Sequence, residues 1–242
     1  MRGSTLLIIA CMIVGIAVLA GLGTWQVNRL FWKEELIAKV EARTKLAPMN
    51  LHDFLDRQML EDNWPYSPVS VEGVFDHSKE VYFYATGKGG AAGWNVHTPL
   101  TLKNGKVLIV NRGFVPYSFK SPSERQDGQV AGKQTITGLV RVPLADKPNS
   151  FIPDNAPEKR EFYWRSLPQM AELMTNGSEE FVPFFVDADD TPVPGGFPHG
   201  GTTIISFPNN HLQYALTWYG LALALLGVGT FFLISRRENK HE

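Results

Sequence analysis

The sequence predicts a membrane protein in which two transmembrane α-helices flank one β-rich α+β extracytoplasmic domain, a small barrel or a sandwich. Three observations carry this reading. Residues 6–22 and 214–234 are apolar and uncharged, and each run is long enough to cross the roughly 30 Å hydrocarbon core of a bilayer as one helix. The stretch between them is of mixed polarity and, after Tyr66, takes up a hydrophobic period of two. An even number of spans then places both termini on one side of the membrane and the whole central domain on the other.

The first span is assigned to residues 5–25, followed by an amphipathic helical extension over 26–46. Residues 25–43 contain no Gly or Pro, Trp32, Leu36, Ile37 and Val40 recur at helical spacing, and Glu35 lies four residues before Lys39. The helix should stop before Pro48. The β-rich domain is assigned to 47–208 and is expected to be periplasmic. Val69, Val71, Gly73 and Phe75 alternate with their neighbours, as do Val81, Phe83 and Ala85. Asn104-Gly105 sits between two β-rich runs, the signature of a two-residue type I′ hairpin turn. Residues 107–110 are apolar on both faces and should form a central strand. Residues 135–142, 181–186 and 202–207 read as further strands, and 167–174 as a short helix. Short strands with Gly/Pro turns suggest a barrel or sandwich. The second span covers 213–234 and a basic tail covers 235–242. Small residues four apart, Ala17 with Gly21 and Gly220 with Ala224, should allow the two spans to pack closely.

Charge sets the expected orientation. Arg236, Arg237 and Lys240 follow the second span directly, and residues 204–213 on its other flank carry no Lys or Arg. The positive-inside rule puts the C-terminus, and with it the N-terminus, in the cytoplasm. Arg29 and Lys33 after the first span argue the other way, but the asymmetry at the second span is larger. The apolar core of the first span is longer than that of a signal peptide, so it should remain as an anchor. No Arg-rich transit segment precedes it, which points to a bacterial inner membrane.

Composition narrows the function classes. Net charge is −1, so there is no nucleic-acid footprint. The single cysteine, Cys11, lies inside the first span, so the exported domain has no disulfide and no thiolate metal site. His52, His77, His97 and His199 show no metal-ligand clustering. Met170 and Met174, four apart, read as core rather than copper ligands. Residues 87–90 lack the spacing of a phosphate-binding loop. No nucleophile and base stand together, so the chain is not expected to be an enzyme.

Several separate stretches resemble one known family. They are Leu22-Gly23-Thr24-Trp25-Gln26 with Arg29, Trp32, Lys33, Leu36 and Ile37; residues 107–116, around Asn111-Arg112-Gly113-Phe114; Phe151-Ile152-Pro153-Asp154-Asn155, then Trp164-Arg165; and residues 209–222, from Asn209-Asn210-His211 through Trp218-Tyr219-Gly220. Together they resemble the Surfeit locus protein 1 family, assembly factors of haem-copper cytochrome oxidases. Ser166 stands where that family usually has Asp. The resemblance implies a chaperone-like accessory role in cytochrome c oxidase (respiratory complex IV) assembly, with the catalytic subunit of a terminal oxidase and other oxidase assembly factors as partners. It also implies that haem a is bound through a His and a Trp at the start of the second span, here His211 and Trp218. A cofactor-free membrane scaffold for an oxidase assembly intermediate is the alternative.

The residues themselves leave the haem reading open. Pro208-Asn209-Asn210 is a good helix start, which puts His211 in the first turn. A neutral imidazole keeps a lone pair for a metal, so His211 could serve as an axial haem ligand. Tyr214 and Trp218, three and seven residues on, share its face and could stack on a haem. An interfacial aromatic belt accounts for the same residues. Arg112 could pair with a haem propionate or a partner's carboxylate, its planar fork suiting either. An internal ion pair, with Gly113 supplying a special φ angle, is the plainer account of that motif.

Overall fold

The computed structural model describes residues 2–57, 64–175, 179–203 and 207–238. The chain forms two compact units, Met1–Glu41 with Ile205–Glu242, and Ala42–Ile204.

The first unit is helical. Helix α1 runs unbroken over Arg2–Thr44 and the last helix, α4, over His211–Glu238. The 43 residues of α1 extend about 65 Å, twice the hydrocarbon thickness. Span and amphipathic extension are therefore one helix. Both helices are long and apolar enough to cross a membrane. Leu6, Ile13, Val18, Leu223, Val228 and Phe231 are exposed around them, the pattern of helices whose solvent is lipid.

The two helices meet along a stripe. On α4, Ala215 and Ala222 are buried, and His211, Trp218, Leu225 and Gly229 are half-buried, at alternating spacings of four and three. A Cβ on Gly15 would come 2.9 Å from the Leu225 side chain, one on Gly23 2.9 Å from the Tyr219 ring, and one on Gly229 1.9 Å from Met12 Sδ. The small residues expected at the contact are not the ones used. Ala17 and Ala224 are exposed, and Gly21 and Gly220 face open space. Spacing four recurs on every face of a helix, so it cannot choose the face; the seven-residue recurrence of Ala215, Ala222 and Gly229 does.

The second unit is a barrel. Its strands are β1 (Met49–Asn50), β2 (Pro68–Phe75), β3 (Val81–Thr86), β4 (Ala92–Leu102), β5 (Val107–Pro116), β6 (Lys133–Arg141), β7 (Glu161–Phe162) and β8 (Phe181–Ala188). Helix α2 (Leu51–Arg57) follows β1, and α3 (Leu167–Met174) precedes β8. Five strands close in the order β2-β4-β5-β8-β6 and back to β2. All neighbours are antiparallel except β5 and β8. Counted along the chain the ring runs first, second, third, fifth, fourth, with the third and fifth parallel: the connectivity of an OB-type Greek-key barrel. Strands β3 and β7 extend the sheet beyond β4, and β1 beyond β2. The barrel, not the sandwich, is the form the alternating strands take.

Alternation fills the interior. Val69, Val71, Leu100, Leu108, Val110, Val140, Val182, Phe184 and Val186 form one cluster, closed by Leu51 and Phe54 of α2. Phe54 meets Phe184 edge-on at 5.6 Å. On the opposite faces of β5 and β8, Ile109 and Phe185 pack with Val81, Phe162, Met170 and Met174, so α3 covers the outside of the sheet.

The hairpin between β4 and β5 forms with a different turn. Gly105 has φ +81°, and Asn104 is not among the residues of positive φ. Leu102 N donates to Lys106 O, and Gly105 N donates to Leu102 O. This is a three-residue loop ending on a left-handed glycine, because a type I′ turn needs positive φ at both central positions. The strand expected over 202–207 falls partly on 204–206, outside the described residues; Thr202, Thr203 and Phe207 are not in a strand.

Candidate functional site

His211 is the first residue of α4, and the Asn210 carbonyl accepts the Tyr214 amide at 3.2 Å, as a residue preceding a helix should. The Asn209 side chain does not cap: its Oδ1 is buried with no partner among the described residues. The imidazole is held from α1. His211 Nδ1 lies 2.6 Å from Oε1 of Gln26 on α1. An amide oxygen only accepts, so the ring proton sits on Nδ1 and Nε2 carries the lone pair. A histidine held this way through one nitrogen is oriented to offer the other to a metal.

Trp218 lies two turns along on the same half-buried stripe. Tyr214 stands beside that stripe and is 54% exposed. Two residues before Gln26, Thr24 ties α1 to Tyr219 of α4: their hydroxyls are 2.9 Å apart, and the Tyr219 ring fills the space left by Gly23. Sequence reasoning passed over Gln26 and Tyr219. Both lie inside stretches that carried the family resemblance, which was the available signal.

Arg112 belongs to the barrel, and its guanidinium is committed there. It is 6% exposed. Nη1 donates to Glu80 Oε1 at 3.4 Å and lies 3.2 Å from His77 Nδ1, Nη2 donates to the Gly128 carbonyl, and the group lies 5.1 Å above the Phe75 ring. Arg125 also donates both terminal nitrogens to Glu80. Burial pushes the Glu80 carboxyl up, but hydrogen bonds from His77 and Arg125, with the charges of Arg125 and Arg112, outweigh it and hold it below its ordinary value. Burial lowers the Arg112 guanidinium to about 10 against the pull of Glu80. Of the two accounts of Arg112, the internal ion pair is the one its contacts describe. Gly113 follows at φ +114°, where the backbones of Phe114 and His199 exchange two 2.9 Å hydrogen bonds. A Cβ there would lie 2.0 Å from the His199 carbonyl oxygen, so the glycine is required twice over.

A second polar centre lies on the outward faces of β5, β6 and β8. Asp187 accepts from Asn111 at 3.0 Å and Thr203 at 2.8 Å, and pairs with Arg141 at 3.3 Å. Arg165 lies 4.8 Å over the Phe83 ring. Asn155 places it: its side chain accepts from the Tyr163 and Trp164 amides and donates to the Trp164 carbonyl and Gln169. His97 is fully buried nearby, against Phe83 and Phe185, with Nε2 unpartnered among the described residues. Burial, helped by the Arg165 charge, lowers it to about 4. Among the described residues no cluster of three His, Cys, Asp or Glu could hold a metal ion.

Comparison with known proteins decides the family. The SURF1 family model matches residues 13–223, nearly the whole chain and both helices as well as the barrel. The chain belongs to the SURF1 family. That family is known as cytochrome c oxidase assembly factors. Surfeit locus protein 1 of Mus musculus is 42% identical over 221 residues, covering 84% of this chain and 68% of the mouse protein. The Homo sapiens protein of the same name is 40% identical over 222 residues, 84% of this chain and 70% of its own length. A SURF1-like protein of Caenorhabditis elegans is 35% identical over 226 residues, 85% and 67% of the two chains.

Proposed function

We propose that this SURF1-family protein binds haem a and aids its insertion into the catalytic subunit of a haem-copper terminal oxidase. The observation that supports this is the Gln26–His211 pair, which fixes the ring proton on Nδ1 and leaves Nε2 free at the head of α4. The residues fit the group: a single oriented imidazole, with Trp218 on the same stripe and Tyr214 at its margin. In this reading His211 would hold the haem iron, Gln26 would orient the imidazole, and Trp218 and Tyr214 would offer ring surface to the haem. Haem a itself supplies the redox-active iron that the mature oxidase needs. The protein supplies a ligand, a tautomer and a place outside bulk water. It performs no covalent chemistry. The partners are the oxidase catalytic subunit, other assembly factors and the lipid bilayer.

The setting we infer is a bacterial inner membrane, with both termini cytoplasmic and the barrel periplasmic. The support is the basic run after the second span. The test is an absorption spectrum of the full chain purified from cells that make haem a. A Soret band at near-stoichiometric intensity is expected, lost in His211→Ala. Haem affinity should fall about 10–100-fold in Gln26→Leu, the range for removing a group that orients a metal ligand. Trp218→Phe should weaken retention without changing the spectrum. Wild-type haem content in both His211→Ala and Gln26→Leu would refute the site. A deletion strain with unchanged haem a in its oxidase would refute the assembly role.

A further inference from the structure

The barrel carries a cavity that the haem reading does not use. Its volume is about 400 Å³, within the usual range for small-molecule sites. It opens beside the outward faces of β4 and β5, next to β3 and to Arg165 of the connection between β6 and β8. In an OB-type barrel those strands and those two connections form the face that meets ligands. Fold position alone assigns no function; the chemistry of the lining does.

Two arginines line this cavity, and each carries a buried donor that is unused. Arg165 Nε and Arg141 Nη1 are withdrawn from solvent, and neither has a hydrogen-bond partner among the described residues. An unsatisfied buried donor is costly, more so on a charged group. Asp187 does not relieve them. Its two oxygens already receive Asn111, Thr203 and Arg141 Nε. Two positive charges against one negative leave the lining with a surplus of one. His97, buried close by, adds none at neutral pH, because burial keeps it unprotonated. Phe83, which also carries Arg165 on its face, Tyr84 and Phe114 give the wall ring surface, and the rest of it is small or polar, with Ala85, Thr86, Asn95 and Thr202 among it. The positions of the guanidiniums are fixed before any ligand arrives, Arg165 by the Phe83 ring and the Asn155 clasp, Arg141 by Asp187 and the Tyr66 ring at 4.6 Å.

We propose that this cavity binds a carboxylate carried on an aromatic or apolar body. A monoanion matches the surplus charge, whereas a dianion would face the Asp187 carboxylate. A planar carboxylate suits guanidinium forks, and a small adjustment of the Arg141 and Arg165 side chains would turn their unused N–H groups to it. The carboxylate can come from a free small acid or from an acidic side chain of a polypeptide. The site lies wholly within the barrel unit and does not rest on haem binding, so either assignment can fail alone.

The experiment is calorimetric titration of the full chain in detergent micelles with phenylacetate, phenylacetamide and inorganic phosphate. Saturable one-to-one binding of phenylacetate is expected, at least tenfold tighter than the uncharged amide or phosphate. Arg165→Met should weaken it at least tenfold while leaving Asp187 its partners, and Arg165→Lys should recover only part, since it restores charge without the fork. Competition by acetyl-Gly-Glu-Gly-amide separates the sources: tighter than phenylacetate indicates a polypeptide, weaker a small acid. Equal binding of phenylacetate and phenylacetamide, tighter binding of phosphate, or no saturable phenylacetate binding overturns the proposal in the wild type alone, whatever the variants do.

Discussion

His97 should make the barrel acid-sensitive in a window that can be calculated. Its ring is fully buried between Phe83 and Phe185, and burial followed by the Arg165 charge moves it from 6.5 to about 4. The folded value lies below the unfolded one, so as pH falls the unfolded chain takes up the proton first. The neutral ring's contribution is therefore complete above pH 6.5 and is lost progressively toward pH 4. With these two values the loss is of the order of 1 kcal/mol at pH 5.5, roughly a tenfold change in the folding constant, and about 2–3 kcal/mol at pH 4.5. The assay is urea unfolding of the barrel in the detergent-solubilised chain, followed by tryptophan fluorescence at pH 7.5 and 5.5. His97→Phe keeps a flat ring of similar size and removes both the titrating group and the orphaned Nε2. Every other ionisable group is common to both proteins, so the difference in slope isolates His97. Wild type should lose roughly 1 kcal/mol more than the variant between the two pH values. Parallel slopes would refute the argument that His97 is held neutral.

Glu80→Gln removes the carboxylate shared by Arg112 and Arg125, all three nearly solvent-free. It should cost about 3–5 kcal/mol, the range for leaving buried partners unneutralised, read as a lower urea midpoint; a cost under about 1 kcal/mol would contradict the ion-pair account. Because the Glu80 carboxyl is held low, its contribution is present above its usual 4.5 and is lost as pH falls through the lower folded value, so the Glu80→Gln penalty should shrink there. Gly113→Ala puts a Cβ 2.0 Å from the His199 oxygen at φ +114° and should destabilise by at least about 2 kcal/mol; wild-type thermal stability would show that the Phe114–His199 bridge yields. A periplasm-active reporter fused after Lys120 should be active and one after Lys240 silent; the reverse would invert the orientation.

What could be read from the residues and what could not divide along a physical line. Local periodicity made β2, β3, β6, β8 and α3 legible, α3 to its end residues, because a period of two or 3.6 is imposed by burial of one face and needs no knowledge of the partner. The central apolar run around Ile109 was legible for the same reason, being covered on both sides by Phe184 and Phe185 neighbours in β8. Closure of the ring was not. It depends on Gly73 to Phe75 of β2 finding Leu100 to Leu102 of β4, a pairing that no local pattern encodes. The same boundary runs through the sites. His211, Trp218 and Arg112 were visible as residue types in telling places. Their meaning lay in partners far along the chain: Gln26 is 185 positions from His211, and Glu80 is 32 from Arg112. A buried arginine demands a carboxylate, but among 24 acidic residues the sequence offers no means of choosing Glu80. Arg165 shows the limit most clearly. It sits in an irregular connection, so periodicity says nothing of its exposure, and its burial follows from Asn155 clasping the Tyr163–Trp164 backbone. Those two segments, residues 151–155 and Trp164-Arg165, were singled out by resemblance as parts of one stretch, with no contact between them evident from the residues. The structure makes them one device, in which the first exists to aim the second. The polar centre they complete, with its unused guanidinium donors, is a property of that joining and of neither segment alone.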